Sequence, residues 1–323
     1  MKKIFIRSPY FIEVDEVAQT SAKIEVFLWN KGTTEPTTPN YTFTKQIPSP
    51  TQTKLEWNVS NLAKGFIKPI APVSVSVPTE ENVNTWCYMR VISYSDDVEI
   101  LDEVYVCLNG YTNYLDGYNQ STTDTIVPLF NTSIKNYVKD FETNYVSFFL
   151  EVENYDTSYD YVDVTERAIW KFPILQETEN VETTFFYSEE LCEPKYTPVV
   201  CTFINRFGGW QYLTFFKANS QGIDVKSKDY NLLPSSIDFN PLQGIKQRFN
   251  FQGTQKIKCN TGWVDENYSE LIQDLMLSEV VLLDNKPAIV KSQSFDIKTH
   301  LKDKNINYEI EFEYNYGLIN DVI

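Results

Sequence analysis

Histidine sets the first limit on the chemistry open to this chain. Its 323 residues contain a single one, His300, in the polar stretch DIKTHLKDKN, which reads as a strand end or turn. Ser-His-Asp and Cys-His mechanisms would both have to converge on that residue, and a multi-histidine metal centre is excluded. An ordinary surface position is expected for it. Glycoside hydrolysis needs only two carboxyl groups, and Asp96, Asp97, Asp116, Asp156, Asp160, Asp163 and Glu166 are candidates. With 44 acidic residues in the chain, each is a weak one, and most belong in solvated loops. The run ENYDTSYDYVD places Asp156, Asp160 and Asp163 close together. Ca²⁺ takes several oxygens from a turning loop, but the glycine and terminal glutamate of an EF-hand are missing, so an acidic loop is the default. No P-loop or GxGxxG phosphate cradle occurs. The chain is expected to be no enzyme and to carry no cofactor and no metal.

Aromatic residues are the other candidates. The stretch TFINRFGGWQYLTFFKANS, residues 202–220, gathers Phe203, Phe207, Trp210, Tyr212, Phe215 and Phe216 around Gly208-Gly209. Such rings could stack on sugars or bases. On strands, however, every second residue usually faces a core. Core or subunit-interface positions are therefore expected for Phe203, Phe207, Trp210, Tyr212 and Phe216. Gly208 and Gly209 are expected to form a tight hairpin turn, supplying positive φ rather than access to phosphate. Because a turn resets the register, the rings need not share one face.

The elements that must position these residues are β-type. Tyr and Phe number 21 each, more than helical bundles usually carry, and 42% hydrophobic content is not that of a disordered chain. Length suits two or three domains. A net charge of −16 with no Lys/Arg run argues against nucleic-acid binding. Cys87, Cys107, Cys192, Cys201 and Cys259 are odd in number and widely spaced, which suits free thiols in a reducing compartment. The N-terminal MKKIFIRSPYFIEVDE lacks the apolar run of a signal peptide, and no window approaches a membrane span. Synthesis in, and initial residence in, a cytosol are expected, with no membrane anchor.

Along residues 1–122, KIEVFLWN, LEWNV, VSVSV (73–77), TWCYMRVISY and DEVYVCL read as strands at the spacing of a β-sandwich. SNLAKGFI (60–67) predicts a turn or two of helix behind Ser60 as N-cap. NGYTNYLDGYNQSTTD (109–124) is dense in loop formers and marks the first boundary. Residues 123–195 predict a second β region through YVSFFLEVEN, AIWKFPIL and TTFFYS. Residues 196–323 predict a C-terminal β domain that opens on the 202–220 hairpin. Its one helix spans 265–277, with Tyr268, Leu271, Ile272, Leu275 and Met276 on one face. VVLLD (280–284) and AIVKSQSFDI (288–297) read as strands. The strict alternation of INYEIEFEYNY (306–316) predicts a half-buried antiparallel strand.

Several of these stretches, in order, resemble virion structural proteins of tailed bacteriophages that infect Bacteroidota, crAss-like phages included. They are RSPYFIEVDEVAQTSAKIEVFLWN, TPNYTFTKQIPS, WNVSNLAKGFI, LNGYTNYLDGYN, CEPKYTPVVCTFINRFGGWQYLTFFKANS, YNLL with FNPLQG, NTGWVDENYSELIQDLMLSEVVLLDNKPA and NINYEIEFEYNYGLIND. The resemblance covers nearly the whole chain except about 125–180. It implies a β-rich, non-enzymatic building block of the tail hub, baseplate or fibre-attachment adaptor, assembled in the host bacterial cytoplasm. Partners would be other copies of itself and other tail proteins, tail fibres among them. The family offers no catalytic residues to transfer. A receptor- or carbohydrate-binding module at the tail tip is the rival expectation, and a depolymerase using paired acids is the third.

Overall fold

Alternation of apolar and polar residues builds the N-terminal part. Strands β1 (Lys2–Phe5), β2 (Phe11–Asp15), β3 (Ser21–Trp29), β4 (Tyr41–Gln46), β5 (Lys54–Asn58), β6 (Trp86–Ser95) and β7 (Val98–Leu108) form two layers. One is a five-stranded sheet in the order β1-β7-β6-β3-β4, and the other is the pair β2-β5. Among these described strands only β1 and β7 pair in parallel. Ile24, Val26 and Leu28 of β3 and Cys87, Met89 and Val91 of β6 meet Ile12, Val14, Leu55 and Trp57 of the small sheet in one core. Each set comes from alternate positions, as the pleat requires. This computed structural model describes residues 2–30, 32–47, 53–69, 86–116, 195–232, 240, 242, 244–264, 266, 268–294, 296 and 306–319, with Asp116 and Tyr212 by backbone only. It also gives the backbone course of strands 144–150, 162–164, 167–171 and 181–188. The anticipated strand VSVSV, His300, Asp156, Asp160, Glu166 and Cys192 lie outside the described residues.

The short helix after β5 is a 3₁₀ turn, Ser60–Gly65, and Ser60 does not cap it. Asn58 takes that place: its carboxamide oxygen accepts from the Ser60 amide at 3.3 Å and the Ser60 hydroxyl at 2.8 Å. An Asx side chain two residues ahead reaches the free amide, whereas Ser60 already lies inside the turn.

Strands β8 (Asn144–Leu150), β9 (Val162–Val164), β10 (Arg167–Lys171) and β11 (Val181–Ser188) follow. After them come β12 (Val199–Ile204), β13 (Trp210–Phe215), β14 (Ser220–Asn231), β15 (Lys246–Val264), α1 (Tyr268–Leu277), β16 (Val281–Leu283), β17 (Lys286–Val290) and β18 (Ile306–Gly317). All belong to one eleven-stranded sheet, β14-β15-β18-β17-β16-β12-β13-β8-β11-β10-β9. The middle strands join it where Val146 of β8 pairs with Gln211 of β13. Residue 195 is therefore no break between sheets. The middle strands continue the C-terminal ladder and cover the edge that β13 would otherwise expose. The fold is mainly β.

One face of this sheet is closed by α1. The helix begins at Tyr268 rather than 265 and buries Tyr268, Leu271, Ile272 and Leu275 against Phe203, Leu213, Phe215, Ile257, Cys259 and the β18 series Ile306, Tyr308, Ile310, Phe312 and Tyr314. Tyr316, the next in that alternation, is exposed where the core ends. Cys87, Cys107, Cys201 and Cys259 are free and buried. Burial pushes the Cys259 thiol up to about 12 and those of Cys107 and Cys201 well above the ordinary range, so these thiols stay protonated and unreactive.

Candidate functional site

In the 202–220 hairpin, β12 and β13 pair from Val199↔Phe215 to Ile204↔Trp210. Directly paired residues share a face, so Phe203, Leu213 and Phe215 enter the core beneath α1. Trp210 lies on the opposite face with Thr202 and Ile204, and it is 0% exposed. The backbone of Tyr212 sits opposite Thr202. Phe216, just past β13, is half-buried, with the Lys217 ammonium 4.9 Å from its ring centroid. The turn is wider than a Gly-Gly hairpin. Asn205 N–H donates to the Gly209 carbonyl at 2.9 Å, and Gly208 N–H donates to the Asn205 carbonyl at 3.0 Å. The Asn205 side-chain oxygen accepts from the amides of Phe207 (3.1 Å) and Gly209 (3.0 Å). Asn205 thus organises the turn as an Asx motif. Gly208 alone takes positive φ, at 89°.

That turn does not point into solvent. It seats on the segment by which the chain leaves β7. Tyr111 N–H donates to the Arg206 carbonyl at 2.8 Å. A Cβ on Gly110 would lie 2.4 Å from that carbonyl oxygen and 2.5 Å from Phe5 Cδ1. One on Gly208 would lie 2.7 Å from the Asn109 amide nitrogen. Both positions need glycine for close backbone approach. Phe207 packs onto the satellite core of Phe5, Trp86, Val106 and Leu108, its ring centroid 6.3 Å from that of Phe5.

Arg7, just beyond β1, secures the other side of this joint. Its Nη2 donates to the Leu277 carbonyl at 2.8 Å, so a cation sits at the negative end of α1. Its Nε lies 3.5 Å from Glu279, which Lys64 also reaches at 3.1 Å. The guanidinium stands 4.9 Å over the Tyr111 ring.

The joint holds one buried carboxyl group, Asp274 of α1, 5% exposed. Its Oδ1 accepts from the Tyr111 hydroxyl at 3.3 Å, and its Oδ2 from the Arg206 amide at 3.4 Å. Both bonds are long. Burial therefore outweighs these donors and the Arg206 charge, and with Glu270 adding repulsion the group is pushed up to about 6. Burial likewise raises the Tyr111 phenol, with the Asp274 charge acting in the same sense.

Elsewhere the acids do other work. Asp96 and Asp97 form the β6–β7 turn with φ of 44° and 69°, the pair of positive values a type I′ hairpin demands. The Asp96 carboxylate accepts from the hydroxyl and amide of Thr20 and from the amide of Ser21, which lowers it to about 2. Asp116 ends an exposed 3₁₀ turn, and Asp163 lies on β9. No three His, Cys, Asp or Glu side chains gather as a metal set among the described residues. A hollow of about 370 Å³ on the outer face of β14, β15, β17 and β18 is lined by charged groups. Most of them pair within the hollow: Lys256 with Asp224 at 2.5 Å and Glu311 at 3.6 Å, and Lys291 with Glu313 at 3.1 Å. The arrangement is a solvated ion lattice and assembles no acid–base pair aimed at a substrate.

The joint residues Arg7, Gly110, Tyr111, Asp274 and Glu279 escape a reading of the sequence alone. Asp274 offers the one usable signal, a carboxylate set between Ile272 and Leu275 on the apolar side of a helix. Comparison with family models, curated proteins and solved structures matches none of them.

Two outcomes follow from this geometry. Gly110→Ala forces the Arg206 carbonyl and Phe5 apart and should destabilise the protein by about 1–3 kcal/mol in chemical denaturation. Asp274→Asn probes the buried carboxyl. Its folded value lies above the unfolded value of 3.8, so its contribution is full below about pH 4 and is lost as pH rises through 6. The Asn variant should match wild type near pH 4 and exceed it by up to about 3 kcal/mol near pH 8, read from paired denaturation curves.

Proposed function

We propose that the chain is a structural subunit of a phage virion tail, of the hub, baseplate or fibre-attachment adaptor kind, acting by subunit–subunit assembly and not by catalysis. The observation that carries this reading is the use made of the hairpin aromatics. Phe203 and Phe215 fill the C-terminal core, Trp210 is buried on the other face, and Phe207 plugs the joint with the N-terminal sandwich. Rings placed this way stiffen a two-part block and offer no stacking platform. The ordered stretches that resemble tail proteins of Bacteroidota phages support the same reading. So does the charge of −16, which keeps unassembled subunits apart in the host cytoplasm. The partners are other copies and other tail proteins, fibres included.

One observation favours a second reading, a receptor- or carbohydrate-binding module. Trp263 on β15 is 69% exposed, an indole open to solvent. Sedimentation velocity over a wide concentration range separates the two when paired with titration of host capsular polysaccharide. The assembly reading expects a concentration-dependent oligomer and no change in tryptophan fluorescence with glycan. A strict monomer whose fluorescence responds to glycan, with the response lost in Trp263→Ala, would replace it.

A further inference from the structure

Strand β18 pairs with β15 only as far as Thr254↔Gly317. From Val225↔Gly253, whose carbonyl still accepts from the Leu318 N–H at 2.8 Å, to Asn231↔Lys246, β14 and β15 have no further strand partner among the described residues. This free ribbon is about 25 Å long at ~3.3 Å per residue. Two strands with no third are marginal in water, yet this pair carries large apolar side chains outward. Tyr230 and Phe249 pack edge to face at 5.4 Å and both remain exposed, as does Phe251. A bulge at Asn250, with φ of 51°, lies between Gln252↔Lys226 and Phe249↔Lys228 and adds twist.

The charge of the ribbon opposes that of the chain. Lys226, Lys228, Lys246 and Arg248 stand against Asp229 alone, in a protein of net charge −16. By the alternation of β14, Lys226, Lys228 and Tyr230 project from one face, which Phe249 shares through its pairing with Lys228. A face of opposite character exists on the same molecule. The outer side of the β2-β5 sheet presents Phe11, Glu13 and Asp15 at the same two-residue period, with Glu56 directly opposite Glu13. Two carboxylates facing each other across a ladder repel. Lys54 lies between them, at 2.6 Å from Glu13 and 2.8 Å from Glu56, and leaves that cluster net negative.

We propose that the β14–β15 ribbon is an arm that docks on the outer face of the β2-β5 sheet of a second copy of this chain. Lys226 and Lys228 meet Glu13 and Glu56, and Tyr230 and Phe249 cover Phe11. Arm and face lie on different parts of one chain, so the contact is head-to-tail and propagates from copy to copy until it closes into a ring. This inference rests on the assembly reading and names the surfaces that reading needs.

Charge reversal tests it on the full chain. Lys226→Glu/Lys228→Glu turns the arm acidic, and Glu13→Lys/Glu56→Lys turns the face basic. Sedimentation velocity should show each variant alone weakened in self-association on the order of 100-fold or more. An equimolar mixture should recover assembly, because every arm then finds a face of opposite sign. Melting curves of each variant within a few degrees of wild type, or recovery in the mixture, exclude misfolding as the cause. If wild type assembles and the reversals leave it unchanged, or if mixing restores nothing, the arm contact is wrong and the assembly reading stands. If wild type remains monomeric at every concentration, the assembly reading falls and takes the arm with it.

Discussion

Where the chain leaves β7, Gly110 and the carbonyl of Arg206 approach so closely that no side chain fits between them. The N-terminal sandwich and the eleven-stranded sheet are tied together around that contact. The Tyr111 amide, the Phe207 ring and the Arg7 guanidinium each cross it, and each needs the backbones at that separation. Close packing makes such an arrangement stiff, because a shift of a few tenths of an ångström is felt by every partner. A hairpin so rich in aromatics is thereby spent on internal architecture.

Electrostatics is arranged in two tiers. Exposed acids pair with lysines in ladders, each worth little in water, and they set the sign of the surface. Inside the joint, Asp274 makes two long hydrogen bonds and sits near Arg206 without a close ion pair. A carboxyl group held like that makes the joint tighter in mild acid than at neutral pH, because the neutral form has less hydration to lose. The charge separation between the ribbon and the remainder of the chain belongs to the surface tier as well.

Much of the fold was legible wherever a strand has one wet face. The alternation of Ile306, Tyr308, Ile310, Phe312 and Tyr314 could be read directly, as could the apolar stripe of α1, since both face a single core. The β14–β15 ribbon was not legible. Strands that touch no core need no alternation, and the polar SQGIDVKSKDYN, exposed along nearly its whole length, offers none to read. The turn was half legible: Gly208 announced the positive φ, while the governing residue, Asn205, acts through a side-chain acceptor that only the folded geometry aligns. The joint was illegible for a different reason. Gly110 lies in a stretch that its Asn, Gly and Thr content marks as a linker, and nothing local reveals that its neighbour in space is 96 residues further on.

The central claim is that the turn at 205–209 is an interior fastening between the two parts of the chain. Amide hydrogen exchange at Asn205, Gly209 and Tyr111 tests it most directly, because their N–H groups donate within the turn and across the joint. The account predicts protection at all three comparable to that of Cys201 and Met89 in the flanking cores, and loss of protection at Tyr111 together with the other two when the joint opens. Exchange at Asn205, Gly209 and Tyr111 as fast as in an exposed loop, with the core strands still protected, would contradict it.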